Sequence, residues 1–168
     1  MSAAASDVTI RPATHADVPV IGRLGALLVR THYEFDPKRF IAATPRTEQG
    51  YGSFLGSQLE ERDVIILVAD QQGVVVGYTY ASVEGYDYMS LRGPAGVLHD
   101  IVVDPSYQGR GIGRMLLDAT VVALHRRDVP RVVLATATHN APAQRLFASA
   151  GFRPTMIEMT RELNGDVG

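Results

Sequence analysis

The sequence predicts a mixed α/β (α+β) fold in which helices flank a central sheet. β-Branched apolar runs predict strands, amphipathic segments with helical spacing predict helices, and the two kinds of segment are interspersed along the chain. A chain of 168 residues fits a single domain over 1–168, with its core at about 8–161. The predicted order is β-α-α-β-β-β-α-β-α-β, with about six strands.

The first predicted elements are a short strand and a helix. Val8 to Arg11 is a strand that ends at Pro12. Thr14 precedes Asp17 by three positions, which is the pattern of a capping box at a helix start. Apolar residues at helical spacing then extend this helix to about Thr31.

The next part of the chain is less regular. Residues 32–46 contain two prolines and are predicted to be irregular. A second helix is predicted over Thr47 to Arg62, although Gly50, Gly52 and Gly56 weaken that prediction.

The middle of the chain is predicted to be mostly strand. Val64 to Ala69 and Val74 to Ser82 flank a polar turn at Asp70 to Gly73, which predicts a hairpin. A loop over Gly85 to Gly96 leads to a further strand, Val97 to Val103.

The remaining elements alternate between helix and strand. A clear helical face is formed by Ile112, Met115, Leu116, Ala119 and Ala123. Arg131 to Thr136 is a predicted strand, and the helix after it has Pro142 in its first turn and Gly151 as its C-terminal stop. Arg153 to Arg161 is predicted as the last strand.

Composition excludes several classes of function. Sixteen Lys and Arg residues against 18 Asp and Glu give a net charge of −2, so no nucleic-acid or membrane partner is expected. The absence of cysteine excludes disulfides and a cysteine nucleophile and argues against a metal site. Residues 1–7 lack the features of a secretory signal, and no apolar run approaches the ~18 residues of a membrane span, so a cytoplasmic protein is expected.

The most informative stretch is a glycine-rich loop between a predicted strand and a predicted helix. It consists of Gln108, Gly109, Arg110, Gly111, Ile112 and Gly113. Glycines let successive backbone N–H groups turn inward, the helix start adds further donors, and Arg110 and Arg114 add positive charge. The loop therefore predicts a cradle for an anion, with a simple tight turn as the alternative.

Two familiar phosphate-binding motifs do not match this loop. A P-loop needs Gly-Lys followed by Ser or Thr, and the chain has no such run. A dinucleotide fingerprint that starts at Gly109 needs a sixth-position glycine, where this chain has Arg114.

Together with its flanks, the loop resembles the GCN5-related N-acetyltransferase (GNAT) superfamily. The flanks are the run Leu98 to Tyr107 before it, and Asn140 and Gly151-Phe152 after it. The resemblance covers about 8–161, and its specific part is 97–152. It implies a mostly antiparallel central sheet of about six or seven strands flanked by about four helices.

The resemblance implies acetyl-CoA as co-substrate. The backbone amides of 108–113 would hold the pyrophosphate, with Arg114 nearby. Ile101, Val102 and Val103 would offer backbone groups to the pantetheine arm as an added strand would, and the Val103 amide would polarise the acetyl carbonyl. Asn140 would cap its helix and contact the arm; the alternative is the cap alone.

The implied reaction is direct attack of a primary amine on the thioester in a ternary complex, which needs a base to deprotonate the ammonium group. The candidates are His99 and Asp100, and strand alternation would let only one face the acetyl group. His99 is favoured, since a histidine pKa near ~6.5 suits this task better than an aspartate pKa near ~3.9. The alternatives are a histidine that only packs and a buried, hydrogen-bonded carboxylate.

One residue departs from the family pattern. Many members carry a tyrosine beside the cofactor thiol at the position of Phe147, which has no proton to give the leaving thiolate. Water, or one of Tyr78, Tyr80 and Tyr107, would then serve. A non-catalytic acyl-CoA-binding module is also left open.

The acceptor is predicted only as a class. His32, Tyr33 and Glu34 are candidate substrate-binding residues, with a solvated loop as the alternative. A small-molecule amine is the first expectation, and a protein N-terminus or lysine is the second. The family resemblance also implies a homodimer, because family sheets often pair through their late strands.

Overall fold

The computed structural model describes residues 7–163, within which five strands form one sheet. In sheet order the strands are β1 (Val8–Pro12), β2 (Val64–Gln71), β3 (Val74–Glu84), β4 (Ala95–Val103) and β5 (Val132–Leu134). The pairings from β1 to β4 are antiparallel, and β5 joins β4 in parallel. The α-helices are α1 (Val18–Phe35), α2 (Thr47–Gln58), α3 (Ile112–His125) and α4 (Ala141–Ser149). The predicted mixed, mostly antiparallel fold is confirmed.

The helices cover both faces of the sheet. On one face, Leu24 of α1 and Leu55 of α2 are buried against Tyr78 of β3. On the other face, Leu117 of α3 and Phe147 of α4 are buried in a second apolar cluster. The sheet is thus the middle layer, and β4 lies close to both helical layers.

The number of strands differs from the expectation of six or seven. The predicted last strand, 153–161, is not a strand: this segment is irregular and exposed. Strand formation depends on a cross-strand partner as much as on sequence pattern. The neighbouring edge strand β5 has only 3 residues, so it offers a short ladder to any further strand.

Helix α1 is longer than predicted. The segment that follows Thr31 continues the helix to Phe35, and the backbone N–H of Asp36 donates to the carbonyl of His32 at 3.2 Å. Pro37 then ends it, because a proline disfavours helical geometry at the preceding residue. His32 therefore lies on the last turn of a helix and not in a loop.

Helix α2 ends at Gln58, earlier than the predicted Arg62, and its Gly52 packs closely against α1. A Cβ placed on Gly22 would lie 2.9 Å from Cα of Gly52. A Cβ placed on Gly25 would lie 2.1 Å from Cδ1 of Tyr51. The low helix propensity of these glycines is thus offset by a helix contact that larger residues would prevent.

The close packing of α1 against α2 leads to a prediction about stability. We expect Gly25→Ala to lower the free energy of unfolding by about 1–3 kcal/mol, because the methyl group overlaps the Tyr51 ring. The matched control is Gly50→Ala in α2, where an added Cβ has no neighbour within 4 Å. That variant should gain about 0.5–1 kcal/mol from helix propensity. Urea denaturation measures both, and equal midpoints for the two variants would contradict the packing argument.

No helix within residues 7–163 has the length and apolar character needed to cross a bilayer. The expectation that residues 1–7 are not a secretory signal falls mostly on residues 1–6, which lie outside the described residues.

Candidate active site

The glycine-rich loop has the backbone geometry of an anion cradle. Gly109 and Gly111 have φ of +76° and +80°, in the left-handed region that favours glycine. Helix α3 begins at Ile112 with Gly111 as its N-cap, and no side chain caps it. The first N–H groups of a helix have no acceptor within the helix. A Cβ at Gly109 or Gly111 would meet no atom within 4 Å, so the space beside these donors is open.

The side chains of the loop are held by near neighbours. Arg110 donates to the carbonyl of Ser106 at 3.2 Å, and its guanidinium lies 5.1 Å from the centre of the Tyr107 ring. Arg114 is paired with Asp118 at 2.9 Å, so its charge is largely engaged within α3. Arg110, unlike Arg114, forms no salt bridge within the described residues, so its charge is available to a bound anion.

Strand β4 has an edge that no strand within residues 7–163 pairs with beyond Leu98, called the free edge below, and it leads from the loop into the protein. Its pairing with β5 covers only residues 96–98, whereas β4 continues to Val103. The N–H of Asp104 donates to a β3 carbonyl at 2.8 Å. Backbone groups of successive residues in an antiparallel strand point alternately to the two sides of the strand. Because the N–H of Asp104 points to β3, the N–H and C=O groups of Val103 and Ile101 point to the free edge. The backbone groups of Val102 face β3 instead.

A β-bulge lies at His99. Tyr80 is paired with Asp100, but Ala81 is paired with Leu98, which leaves His99 as an extra residue on β4. The His99 ring stacks on Tyr80 with centroids 4.8 Å apart. Strand alternation predicts that His99 and Asp100 face opposite sides of the sheet. The bulge interrupts that alternation, because both side chains contact alternate residues on one face of β3. That only one of them faces the acetyl group stays a prediction.

Asp100 is buried beneath this face. Its Oδ2 accepts hydrogen bonds from the hydroxyls of Tyr51 at 2.7 Å and Tyr78 at 2.8 Å. Burial raises the pKa of the Asp100 carboxyl, and the two hydroxyl donors oppose that rise. Burial also raises the pKa of Tyr78. Asp100 thus joins α2 to the sheet as a buried, hydrogen-bonded carboxylate, and Tyr78 is fully buried with its hydroxyl bound to Asp100.

A cavity of about 240 Å³ lies beside the free edge of β4. It is bounded by α1, the loop after α1, β4, the segment after β5, and α4. Its lining residues are Leu28, Val29, His32, Phe40, Ile41, His99, Ile101, Ala135, Thr136, Asn140, Ala143 and Phe147.

The cavity brings together predicted residues from distant parts of the chain. His32, His99, Ile101, Asn140 and Phe147 all line it. The other predicted site residues do not line it: these are Tyr33, Glu34, Asp100, Val102, Val103 and the loop residues 108–114.

Helix α4 presents Asn140 and Phe147 to the cavity. The side-chain oxygen of Asn140 accepts from the N–H of Ala143 at 3.3 Å, which is the expected N-cap. Phe147 is buried and packs edge-on against Phe152 with ring centroids 6.0 Å apart. The cap fixes the start of α4, and with it the position of the Phe147 ring in the cavity wall.

Helix α1 supplies the second imidazole of the cavity. Nδ1 of His32 lies 2.9 Å from the carbonyl of Leu28, so this nitrogen carries a proton and donates. Leu28 and Val29, from the same turns of α1, also line the cavity and were not among the predicted site residues. Leu28 and Val29 lie four and three positions before His32, so all three residues share one helical face. The sequence could have predicted this face only if α1 had been predicted to extend as far as His32.

The comparisons with known proteins agree with this architecture. The model of the acetyltransferase (GNAT) family matches residues 27–152 of the chain. A mycothiol acetyltransferase from Acidothermus cellulolyticus is 36% identical over 106 residues, which cover 58% of this chain and 32% of that protein. The chain thus spans about a third of the length of the mycothiol acetyltransferases that it matches first.

Solved structures share the fold. The crystal structure of a mutant protein from Bacillus halodurans has a TM-score of 0.81 at 21% identity, covering 92% of this chain and 99% of that one. An aminoglycoside N-acetyltransferase in complex with CoA has a TM-score of 0.68 at 18% identity, covering 94% of this chain and 95% of that one. At these identities the likeness is one of fold.

Proposed function

The chain belongs to the GNAT family of acetyltransferases, and on that premise we propose that it transfers the acetyl group of acetyl-CoA to a primary amine of a small molecule. The observation that carries the proposal is the continuity of three features: the glycine cradle, the free edge of β4 and the cavity beside it. An anionic carrier with a long arm and a reactive end fits such a path.

The chain has suitable groups for the pyrophosphate, the pantetheine arm and the reactive end of acetyl-CoA. The backbone amides of 109–113 suit the pyrophosphate, whereas the predicted contribution of Gln108 is corrected, because its N–H donates to the carbonyl of Pro105 at 3.4 Å. The amides of Ile101 and Val103 suit the pantetheine arm. The Val103 N–H would polarise the acetyl carbonyl and stabilise negative charge on its oxygen. Asn140 and Phe147 form the wall beside the reactive end. When bound, acetyl-CoA supplies an acetyl group activated as a thioester.

We propose His99 as the base that accepts the proton of the attacking amine. An ammonium group has no free lone pair, and a lysine-like amine with a pKa near ~10.4 is almost fully protonated at neutral pH. His99 lines the cavity beside the free edge of β4, with its side chain 33% exposed. Asp100 is buried under two tyrosine hydroxyls and does not reach the cavity, so the role passes to His99.

The known relatives favour a small acceptor over a protein. Relatives are named for acetylation of mycothiol, and a structural neighbour for acetylation of aminoglycosides. A protein N-terminus or lysine is the second candidate acceptor.

Calorimetry and a thiol-release assay test the proposal. We expect acetyl-CoA to bind, and CoA thiol to be released when a panel of amino acids, polyamines and amino sugars is supplied. Absence of binding would overturn the assignment. Binding without turnover on small amines or peptides would instead identify a non-catalytic acyl-CoA-binding module.

A substitution at Phe147 tests whether a side chain must protonate the departing thiolate. We expect Phe147→Tyr to leave kcat unchanged, because thiols have a pKa near ~8.5 and their thiolates are stable leaving groups. Steady-state turnover of the best amine measures this. An increase in kcat would show that the native protein lacks a useful proton donor at this place.

A homodimer and a cytoplasmic location stay predictions. The exposed side chains of Met156, Ile157 and Met159 form an apolar stretch after α4 that supports pairing through the late part of the chain. Light scattering after size exclusion decides between one and two chains.

A further inference from the structure

A short series of polar side chains connects the β3–β4 loop to His99. Arg92, in that loop, donates to Oε2 of Glu84 at 2.8 Å. Oε1 of Glu84 accepts a hydrogen bond from the hydroxyl of Ser82 at 3.0 Å. The same hydroxyl oxygen lies 2.7 Å from Nε2 of His99, and Oε1 of Glu84 lies 3.4 Å from that nitrogen. Neither of the two partners of His99, Ser82 and Glu84, was singled out from the sequence.

The hydrogen-bond donors and acceptors of this series are compatible with only one tautomer of neutral His99. An ionised glutamate only accepts hydrogen bonds, and a serine hydroxyl has a single proton to donate. Once Ser82 donates that proton to Glu84, its oxygen can satisfy the contact with His99 only by accepting. Nε2 of His99 must then carry the proton. The opposite tautomer would leave the oxygens of Ser82 and Glu84 in contact with no proton between them.

The same arrangement leaves the other ring nitrogen available. Within residues 7–163 no group forms a hydrogen bond with Nδ1 of His99. Stacking on Tyr80 restricts the plane of the ring, so the lone pair on Nδ1 has a restricted direction.

We propose that Glu84 is a positioning residue that acts through Ser82 to hold His99 with its proton on Nε2, so that Nδ1 is the atom that accepts the proton of the amine. This inference rests on the proposed function of His99 as base. When Nδ1 takes up a proton the ring becomes positively charged, and the Glu84 carboxylate beside Nε2 stabilises that charge. Arg92 holds the carboxylate in place from the loop side.

Nitrogen NMR of the imidazole side chains tests the tautomer directly. In protein labelled with ¹⁵N at histidine, at a pH where His99 is neutral, we expect a protonated-type signal from Nε2 and an unprotonated-type signal from Nδ1. His99→Gln identifies these signals by their loss. In Glu84→Gln the Ser82 proton is free to turn toward Nε2, and we expect a mixture of tautomers.

Kinetics of the same variant test its consequence. We expect kcat of Glu84→Gln to fall by about tenfold while the KM for acetyl-CoA is unchanged, because the base is less well oriented but the cradle is intact. The matched control is Glu60→Gln, which removes a carboxylate 3.3 Å from Nε2 of a different histidine, His15, outside the cavity. That control should keep both the rate and the His99 signals of the wild type.

The outcomes separate this inference from the proposed function. A proton on Nδ1 in the wild type, or a Glu84→Gln variant with unchanged rate and signals, would overturn the role of Glu84 even if His99→Gln is inactive. If His99→Gln keeps the full rate, the base assignment fails first, whatever the tautomer.

Discussion

Replacement of Gly111 by aspartate is expected to raise the Kd for acetyl-CoA by at least about a hundredfold, or about 2.7 kcal/mol. The new carboxylate would stand at the N-cap of α3, in the open space beside the donors of the cradle. It would repel the pyrophosphate and compete for the N–H groups, since an aspartate at an N-cap accepts hydrogen bonds from the first turn. Calorimetric titration with acetyl-CoA measures the change.

Two controls separate charge from backbone strain. Gly111→Asn has nearly the same shape, tolerates the left-handed conformation and adds no charge, so it should lose much less affinity than Gly111→Asp. Gly73→Asp puts the same residue at φ of +87°, in the turn between β2 and β3, with no neighbour within 4 Å of the Cβ. It should bind acetyl-CoA as the wild type does. Full affinity in Gly111→Asp would show that the phosphates bind elsewhere.

The cradle could be predicted from sequence because its physics is local. Two glycines with positive φ and the first turn of a helix lie within 109–113, and no long-range contact is needed to bring them together. The N-cap role of Asn140 is local in the same way. Such features depend on backbone geometry over a few residues, which residue type largely determines.

The orientation of the candidate base could not be predicted in this way. Whether His99 and Asp100 share a face depends on a β-bulge, which is a property of the pairing of β4 with β3. Nothing in the residues 97–103 alone marks where the extra residue falls. The partners of His99, Ser82 and Glu84, come from the other strand, so they become visible only once the register is known.

The remaining differences also come from tertiary contacts. Glycines weakened the prediction of α2 because helix propensity counts only the cost of each residue in isolation. The close approach of Gly22 to Gly52 stabilises the helix pair through packing that propensity does not contain. For the segment 153–161 the sequence pattern predicted a strand that does not form, because no strand among the described residues pairs with it.

Removal of the imidazole of His99 is expected to lower kcat/KM for the amine by about 10²–10⁴, the usual contribution of general base catalysis. The Kd for acetyl-CoA should stay unchanged in His99→Ala, because the cradle and the free edge of β4 are distinct from the side chain removed. Added imidazole should restore part of the rate, since the truncation leaves space for it beside Tyr80. Thiol release at saturating acetyl-CoA and varied amine measures the loss of rate and its rescue, and calorimetric titration measures the Kd for acetyl-CoA.

The second imidazole of the cavity gives this prediction its sharpest control. His32 also lines the cavity, but its Nδ1 donates to the carbonyl of Leu28 and its ring packs between Phe35 and Phe40. We therefore expect His32→Gln to change KM for the amine more than kcat, since its ring forms part of the wall. If His32→Gln lost the rate and imidazole rescued it while His99→Ala stayed active, the base would be His32. The role of the Ser82–Glu84 pair in holding the base would then be overturned as well.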